Sequence, residues 1–176
     1  MSPIYLIVGP PAVGKSTTSH ALAQRFELSI HIPIDDLRDM VVRGKLLPGP
    51  VWSEALAKQV ALARTAAIQM TLAYHAAGFA VVMDDFWDDE HREDYAALVG
   101  HPDFQRVVLL PQRAIAHQRN LARSGDTPGR QYIDAGIAIV YDRLQKAMPT
   151  LEADGWLVVD TSALTPEEVV DRILGL

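Results

Sequence analysis

The sequence predicts an α/β fold, a doubly wound five-stranded parallel sheet with helices on both faces. Three observations predict it. Five short apolar runs alternate with helix-like segments along the 176 residues, a pattern typical of parallel sheets that are covered on both sides. A glycine-bearing segment follows the first run directly and precedes a helical pattern. Polar clusters also follow each of the first four runs, and the carboxyl ends of parallel strands share one edge of a sheet.

The strand predictions rest on apolar runs bounded by turn residues. The first run, Ile-Tyr-Leu-Ile-Val, contains no charged residue, and neither does the third, Phe-Ala-Val-Val-Met. Because strands this short and this apolar are typical of buried parallel sheets, each run is assigned to one strand. The predicted strands cover residues 4–8, 29–34, 79–83, 105–110 and 156–160.

The helix predictions rest on apolar spacing and on capping residues. Ser53 is a candidate N-cap for a long helix whose apolar stripe repeats every three or four residues. Thr165 begins a capping box that Glu168 completes, with Pro166 at the first helical position. Residues 44–50 carry glycine and proline and are predicted to form a loop. The predicted helices cover residues 16–26, 37–43, 53–77, 89–99, 111–125, 132–148 and 165–175, with Pro149 just beyond the sixth.

Composition restricts the class of protein. Hydrophobic residues make up 49% and charged residues 22% of the chain, as in ordinary globular proteins, and no apolar run approaches the roughly 20 residues of a membrane span. The absence of cysteine excludes disulfides and thiolate metal sites, and the six histidines show no metal-ligand spacing. The net charge of −6 argues against extended nucleic-acid binding. Since the first strand begins at Ile4, no signal peptide is expected, and a single cytoplasmic domain over residues 1–176 is predicted.

The segment from Gly9 to Ser16 reads Gly-Pro-Pro-Ala-Val-Gly-Lys-Ser and fits the Walker A pattern G-x-x-x-x-G-K-[ST]. Its glycines let the backbone wrap closely around a phosphate, and the amides at the following helix N-terminus face the anion. Lys15 adds a mobile positive charge for the β- and γ-phosphates, and the Ser16 hydroxyl suits Mg²⁺. The two prolines lack an N–H, so the amide donors are expected mainly after them. The predicted nucleotide-binding residues of the loop are Gly9, Ala12, Val13, Gly14, Lys15, Ser16 and Thr17.

Two acidic pairs follow the second and third strands. Asp35 is predicted to be the catalytic base and to contact substrate, because phosphoryl transfer needs an acceptor hydroxyl that is oriented and deprotonated. The alternative is that one residue of the Asp35–Asp36 pair, with Asp36 as the better candidate, caps the next helix. Asp84 ends an apolar strand as a Walker B carboxylate does and is predicted to hold Mg²⁺ with Ser16. Asp85 is the alternative for the metal and is otherwise predicted to contact substrate.

Four arginines follow the fourth strand within eighteen positions, namely Arg113, Arg119, Arg123 and Arg130. Positive charge at this edge would stabilise the anion that develops during phosphoryl transfer. Arg119 and Arg123 are four residues apart, on one face of a helix, whereas at least one of the four is expected to be only a surface residue. Gly125 and Gly129 flank the next loop as candidate hinges, so residues 113–131 are predicted to form a lid.

With these features together, the chain resembles the small P-loop kinases, the group that contains adenylate, shikimate and gluconate kinases. The loop is similar to that of adenylate kinases, with Ala12 where they usually have a third glycine, and the layout covers nearly the whole chain. The resemblance implies ATP and Mg²⁺ as cofactors, Arg119 packing on adenine, and Arg130 reaching the transferred phosphate. Arg123 is assigned to the nucleotide as well, and the predicted catalytic residues are Lys15, Asp35 and Arg130.

Two narrower resemblances imply different acceptors. Ile34-Asp35-Asp36-Leu37-Arg38 is similar to the Asp-Asp-x-Arg segment of polynucleotide 5′-hydroxyl kinases, which implies that Asp35 is the base and that Arg38 contacts a substrate phosphate. Arg123-Ser124-Gly125-Asp126 and the Val-Asp-Thr of 159–161 are similar to chloramphenicol phosphotransferases. Those enzymes also place an aspartate after the second strand.

The leading interpretation is an ATP-dependent kinase that phosphorylates a hydroxyl of a small molecule. One alternative is a kinase of polynucleotide or nucleotide 5′-hydroxyl ends, and another is a regulatory NTPase that transfers no phosphate. The aspartate after the second strand and the arginine-bearing segment both favour transfer. The acidic stretch over residues 84–93 would repel a polyanionic strand, which favours a small acceptor. The donor, ATP or GTP, and the oligomeric state stay open.

Overall fold

The central feature of the computed structural model, which describes residues 2–47 and 52–176, is a parallel sheet with the strand order β2-β3-β1-β4-β5. Strand β1 lies in the middle, with Ile4 opposite Val81 of one neighbour and Phe104 of the other. The loop that follows β1 therefore leaves from the centre of the sheet. The strands are β1 (Ile4–Val8), β2 (Ser29–Pro33), β3 (Ala80–Asp84), β4 (Phe104–Leu109) and β5 (Leu157–Val159).

Helices cover both faces of the sheet, which confirms the predicted fold class. They are α1 (Lys15–Ala23), α2 (Ile34–Asp39), α3 (Glu54–Ala76), α4 (Arg113–Ser124), α5 (Pro128–Ala153) and α6 (Pro166–Leu174), with a 3₁₀ helix at Arg92–Tyr95. Leu6 and Met83 belong to the core formed with α3 and the second half of α5. Ile7 and Val82 belong to the core formed with α1 and α6. Successive strand residues thus supply opposite cores, as the period of two requires.

The predicted caps of two helices are present. The Ser53 hydroxyl accepts a hydrogen bond from the Leu56 amide at 3.1 Å, at the start of α3. Thr165 and Glu168 exchange the side-chain and backbone hydrogen bonds of a capping box, and Pro166 is the first residue of α6. Both helices begin at the residues expected from sequence, because a cap involves only residues that are neighbours along the chain.

The helix predicted over residues 89–99 is wrong, since only the short 3₁₀ turn at Arg92–Tyr95 is helical. The carboxylate of Asp88 accepts from the amide of Glu90 at 3.1 Å, and such local side-chain bonds compete with helical ones. The same carboxylate also pairs with a buried arginine of α3, Arg64, which holds this segment against that helix.

Helix α5 also differs from its prediction at both ends. It begins at Pro128 behind the N-cap Thr127, so the expected loop over 125–129 is shorter. It continues through Pro149 to Ala153, because Leu144 and Leu151 on either side of the proline are fully buried. Their packing offsets the roughly 3 kcal/mol that a proline inside a helix costs. The loop predicted over 44–50 lies partly outside the described residues, and none of the described helices has the length and apolar character to cross a bilayer.

Candidate active site

The loop between β1 and α1 has a backbone conformation that demands small residues. A Cβ on Gly9 would lie 2.4 Å from the carbonyl oxygen of Leu109 in the adjacent strand. Gly14, the N-cap of α1, is left-handed with φ of 97°. Ala12 is also left-handed, with φ of 60°, and this conformation costs an alanine about 1–2 kcal/mol more than a glycine. The strain falls where the resembling kinases usually have their third glycine.

The first turn of α1 presents backbone donors to the surface. No side chain caps this N-terminus, and Ser16 and Thr17 are exposed, so the amides and the helix dipole can receive an anion. The Lys15 ammonium donates to the carbonyl of Pro10 at 3.0 Å. Burial lowers the pKa of Lys15, and the charges of Asp84 and Asp35 oppose that shift. The lysine is thus held over the loop among carboxylates.

Asp84 joins the phosphate loop to the neighbouring strands. One carboxylate oxygen accepts from the Ser16 hydroxyl at 3.0 Å, and the other lies 2.5 Å from His31 Nε2. Neighbouring ligands of an octahedral ion with bonds of 2.0–2.1 Å lie roughly 3 Å apart, and Mg²⁺ prefers such oxygen ligands. The Ser16 and Asp84 pair therefore fits the predicted magnesium site. Sequence reasoning missed His31, which reaches Asp84 only because β2 pairs with β3.

Asp85 lies in a buried charge network. Its carboxylate accepts from Arg64 Nε at 2.7 Å and from the Tyr95 hydroxyl at 2.8 Å. Arg64 and Asp85 are each 1% exposed, and Arg64 also donates to Asp88 and Asp94. This burial argues against the predicted contact of Asp85 with substrate and indicates that it holds the segment after β3. A sequence signal existed, since Arg64 follows Val60 by four residues on the apolar stripe of α3.

Replacing Arg64 with methionine is expected to lower the free energy of unfolding by about 3–5 kcal/mol, because Asp85 would stay buried without its cation. Urea denaturation followed by circular dichroism measures the change. Arg143→Met is the control, since it removes an arginine that pairs with Asp89 and Glu90 near the surface and should cost less than about 1 kcal/mol. Similar losses in both variants would show that burial of the network contributes nothing.

Asp35 lies in the first turn of α2, at the carboxyl end of β2. Its side chain is 64% exposed and accepts from Arg38 Nη1 at 2.9 Å. Pro33 occupies the N-cap of α2, so neither Asp35 nor Asp36 caps the helix. Because the charge of Asp35 acts on the pKa of Lys15, the two side chains share one electrostatic environment, and the carboxylate is open to an acceptor.

Arg38 is buried behind Asp35 and holds its carboxylate by a hydrogen bond. Its side chain is 8% exposed, and it donates to the carbonyl of Leu46 as well as to Asp35. The guanidinium also lies 5.9 Å from the centre of the Phe86 ring, which in turn is 5.8 Å from the Trp52 ring. An aromatic pair thus adjoins the Asp35–Arg38 pair.

A cavity of about 330 Å³ lies beside the phosphate loop. Arg119 donates to the carbonyl oxygens of Val13 and Thr161, at 3.1 and 2.8 Å, and so holds α4 against the loop. Arg123 lines the same cavity, and its charge adds to the lowering of the Lys15 pKa. Apolar residues complete the lining, namely Leu164, Pro166 and Val169. The structure brings both arginines to the loop, and their contact with a nucleotide stays a prediction.

Arg130 lies in the first turn of α5 and pairs with Asp126 at 2.7 Å and Asp134 at 3.1 Å. Asp134 also accepts from Asn120 and is hydrogen-bonded to His117, and these hydrogen bonds lower its pKa. The network connects α4 to α5, across the predicted hinge. In this conformation the Arg130 guanidinium is engaged by two carboxylates, so a contact with phosphate would require it to exchange one of them.

Two further features lie outside this group of residues. Arg113 pairs with Asp142 at the surface and matches the arginine expected to be only a surface residue. A second cavity, of about 240 Å³, is lined by residues such as Trp87, Arg92 and Trp156, and none of its lining residues belongs to the phosphate loop. We therefore place the candidate site at the loop-side cavity and at the neighbouring edge of the sheet that carries Asp35, where the charged groups converge.

Comparisons with known proteins agree with the observed fold. The model of the AAA domain family matches residues 4–138. The tunicamycin resistance protein of Deinococcus radiodurans superposes with a TM-score of 0.68 at 22% identity, over 99% of this chain and 95% of that one. A shikimate kinase of Bacteroides thetaiotaomicron gives 0.65 at 16% identity, over 99% of both chains. A sugar kinase of a Janibacter species gives 0.63 at 17% identity, over 99% of this chain and 94% of that one.

No curated protein matches the sequence significantly. At the identities above, the solved structures establish the fold alone, which this chain shares with the shikimate kinase and the sugar kinase. The family model covers more than half of the chain, from the first strand into α5. The chain therefore belongs to the AAA domain family of P-loop proteins.

Proposed function

We propose that the protein is an ATP-dependent kinase that transfers the γ-phosphate of ATP to a hydroxyl of a small molecule. What supports this most directly is the convergence of the phosphate loop, the Ser16–Asp84 pair and the exposed carboxylate of Asp35 at one edge of the sheet. A nucleotide-binding switch needs the loop and the metal ligands. Phosphoryl transfer to a hydroxyl gives a use to a further carboxylate that is open to an acceptor.

The loop residues would hold the nucleotide phosphates, and the 330 Å³ cavity beside Arg119 and Arg123 would hold the rest of the nucleotide. Ser16 and Asp84 would hold Mg²⁺, which neutralises charge on the phosphates when it is bound. The uncapped first turn of α1 fits this role, because its amides have no side-chain partner to displace.

Side chains of this protein would carry out the remaining steps of the transfer. Lys15 leaves the Pro10 carbonyl and orients the transferred phosphoryl group. Asp35 accepts the proton of the acceptor hydroxyl as the new O–P bond forms and the bond from the γ-phosphorus to the β,γ-bridging oxygen breaks, so that ADP leaves. Arg38 fixes the carboxylate through its 2.9 Å hydrogen bond. Arg130 supplies positive charge where the anion develops.

A small acceptor is favoured over a polynucleotide end. In the polynucleotide kinase interpretation Arg38 contacts a substrate phosphate, but here its side chain is 8% exposed and bonded to Asp35 and Leu46. The nearby Phe86 and Trp52 rings offer apolar surface instead. We therefore expect an acceptor that carries a hydroxyl beside an apolar or planar part and has no phosphate of its own.

A panel of acceptors tests the proposal. Sugars, cyclic polyols, hydroxylated aromatic compounds, nucleosides and 5′-hydroxyl oligonucleotides are incubated with labelled ATP and Mg²⁺ at physiological salt. Transfer to a small hydroxyl compound supports the proposal. Efficient labelling of oligonucleotides that is lost in Arg38→Ala would favour the polynucleotide alternative, and ATP hydrolysis indifferent to every acceptor would favour the regulatory NTPase.

Arg130→Ala is expected to lower kcat by about 10²-fold or more while changing KM less, because its contact with the phosphoryl group would form mainly in the transition state. Steady-state kinetics measures both constants. In parallel, hydrogen exchange should show residues 113–131 protected by a non-hydrolysable ATP analogue with acceptor, as a closing lid requires. Arg113→Ala, at the surface, is the matched control. Unchanged kcat in Arg130→Ala, or unchanged exchange on ligand addition, would count against the lid.

A further inference from the structure

A second cluster of polar side chains lies at the edge of the sheet opposite to the phosphate loop, where the strands begin. His75 is in the last turn of α3, and His101 and Asp103 lie in the segment that leads into β4. One potential ligand atom of each residue lies within 4.8 Å of the others, and all three residues are partly buried. The carbonyl oxygen of Ser2, just before β1, is 2.9 Å from His75 Nε2.

The hydrogen bonds of the cluster define which nitrogens carry protons. His75 Nε2 has two oxygen acceptors, the Ser2 carbonyl at 2.9 Å and Asp103 Oδ2 at 3.2 Å, so it is the protonated nitrogen. His101 Nδ1 accepts from the Asp103 amide at 3.2 Å, so it has a lone pair. The two imidazole rings meet edge to face, with their centres 4.9 Å apart.

We propose that His75, His101 and Asp103 bind one divalent transition-metal ion, for which zinc is the best match, with the Ser2 carbonyl or water as a further ligand. Two imidazoles and one carboxylate are donors that zinc prefers. Bonds of 2.0–2.1 Å in a tetrahedral site place ligand atoms roughly 3.3 Å apart, and the 3.2 Å between His75 Nε2 and Asp103 Oδ2 already meets this spacing. The ligand atom of His101 lies within 4.8 Å of the other two, and a small rotation of its side chain would bring it to the same spacing.

The ion would replace the proton that His75 shares between two oxygens. On binding, that proton moves to Nδ1 of the same ring, which leaves the Nε2 lone pair for the ion. The sequence carries no compact ligand motif because the donors come from the end of α3 and from the segment before β4, 26 and 28 residues later along the chain.

The proposed role of the ion is structural. The cluster joins the start of β1, the end of α3 and the start of β4, which are already linked by hydrogen bonds from Ser2 Oγ to the Gly78 carbonyl at 2.7 Å and from the Ile4 amide to the Asp103 carbonyl at 2.9 Å. A metal ion would add a link among these three segments and stabilise the folded state by binding to it. Since the phosphate loop leaves from the other edge of the sheet, the site is independent of the proposed kinase activity.

Calorimetric titration with zinc tests the proposal on tag-free, chelator-stripped protein, with Mg²⁺ in excess to occupy the Ser16–Asp84 site. One zinc ion per chain is expected, together with a rise in the thermal midpoint of the wild type. His75→Gln and His101→Gln should each weaken zinc binding by more than the 10–100-fold typical of losing an outer-shell partner. Cobalt should give visible absorption bands of a four- or five-coordinate site, and these should vanish in both variants.

His117→Gln is the matched control, because it removes another histidine that pairs with an aspartate, Asp134, and should keep wild-type zinc affinity. Each variant is compared with its own metal-free midpoint, so a general loss of stability does not mimic loss of the site. If either histidine variant fails to fold, Asp103→Asn replaces it, since the amide keeps the size and hydrogen-bonding capacity of the side chain. Equal zinc affinity in wild type and the ligand variants, or no stoichiometric binding by the wild type, would overturn the proposal.

Discussion

Replacement of Lys15 by alanine is expected to reduce phosphoryl transfer by about 10²–10³-fold, the usual effect of losing one transition-state donor. ATP binding should weaken by roughly 1.5–3 kcal/mol, because a hydrogen bond to a charged group is lost. The loss has a second cause in this protein. Lys15 lies among the carboxylates of Asp84 and Asp35, whose charges act on its pKa, so without the ammonium the phosphates would approach an acidic site.

Calorimetry with ATP·Mg²⁺ and steady-state turnover measure the two effects of the Lys15 substitution. Lys58→Ala makes the same charge change at a lysine that is 78% exposed on α3, and it should leave both quantities nearly unchanged. Equal ATP affinity and equal turnover in Lys15→Ala and wild type would contradict the assignment of residues 9–16 as the phosphate-binding loop.

The second large effect is expected for Asp35→Asn, which should cut phosphoryl transfer by about 10²–10⁴-fold, the usual contribution of a positioned acid–base group. The asparagine keeps the shape of the side chain, and its carbonyl oxygen can still accept from Arg38. It cannot take a proton from the acceptor hydroxyl. ATP affinity should stay close to that of the wild type, since Asp35 lies on α2 and belongs to no part of the phosphate loop.

Transfer to the best acceptor of the panel and ATP binding are both measured for the Asp35 variant. Asp36→Asn is the matched control, because it removes the same charge from the next residue of the same helix turn, which is also exposed. Wild-type transfer in Asp35→Asn would refute the role of base. A loss of transfer of the same size in Asp36→Asn would indicate that the net charge of the turn matters, and not a proton acceptor at position 35.

The sheet, the phosphate loop and the helix caps were predictable from sequence because their signals are local. Apolar runs such as Ile4–Val8 identify buried strands by themselves, and the spacing of Gly9, Gly14, Lys15 and Ser16 identifies a phosphate loop. The segment around Asp88 and Arg92 was not predictable, because its path follows contacts with Arg64 on another helix. The end of α5 was not predictable from Pro149 for the same reason, since buried leucines on both sides of the proline hold the helix against the core as far as Ala153.

The sequence by itself determined the fold class, the loop and the candidate edge of the sheet, through patterns that each involve only a few neighbouring residues. Only the tertiary structure separated the surroundings of Asp84 and Asp85. Asp84 meets Ser16, 68 positions away, whereas Asp85 enters the buried network of Arg64. Consecutive carboxylates at a strand end point to opposite sides of the chain. The residues that each carboxylate contacts depend on strand order and helix packing. The local pattern does not name the partners in those long-range contacts, although Arg64 on the apolar stripe of α3 indicated a buried charge.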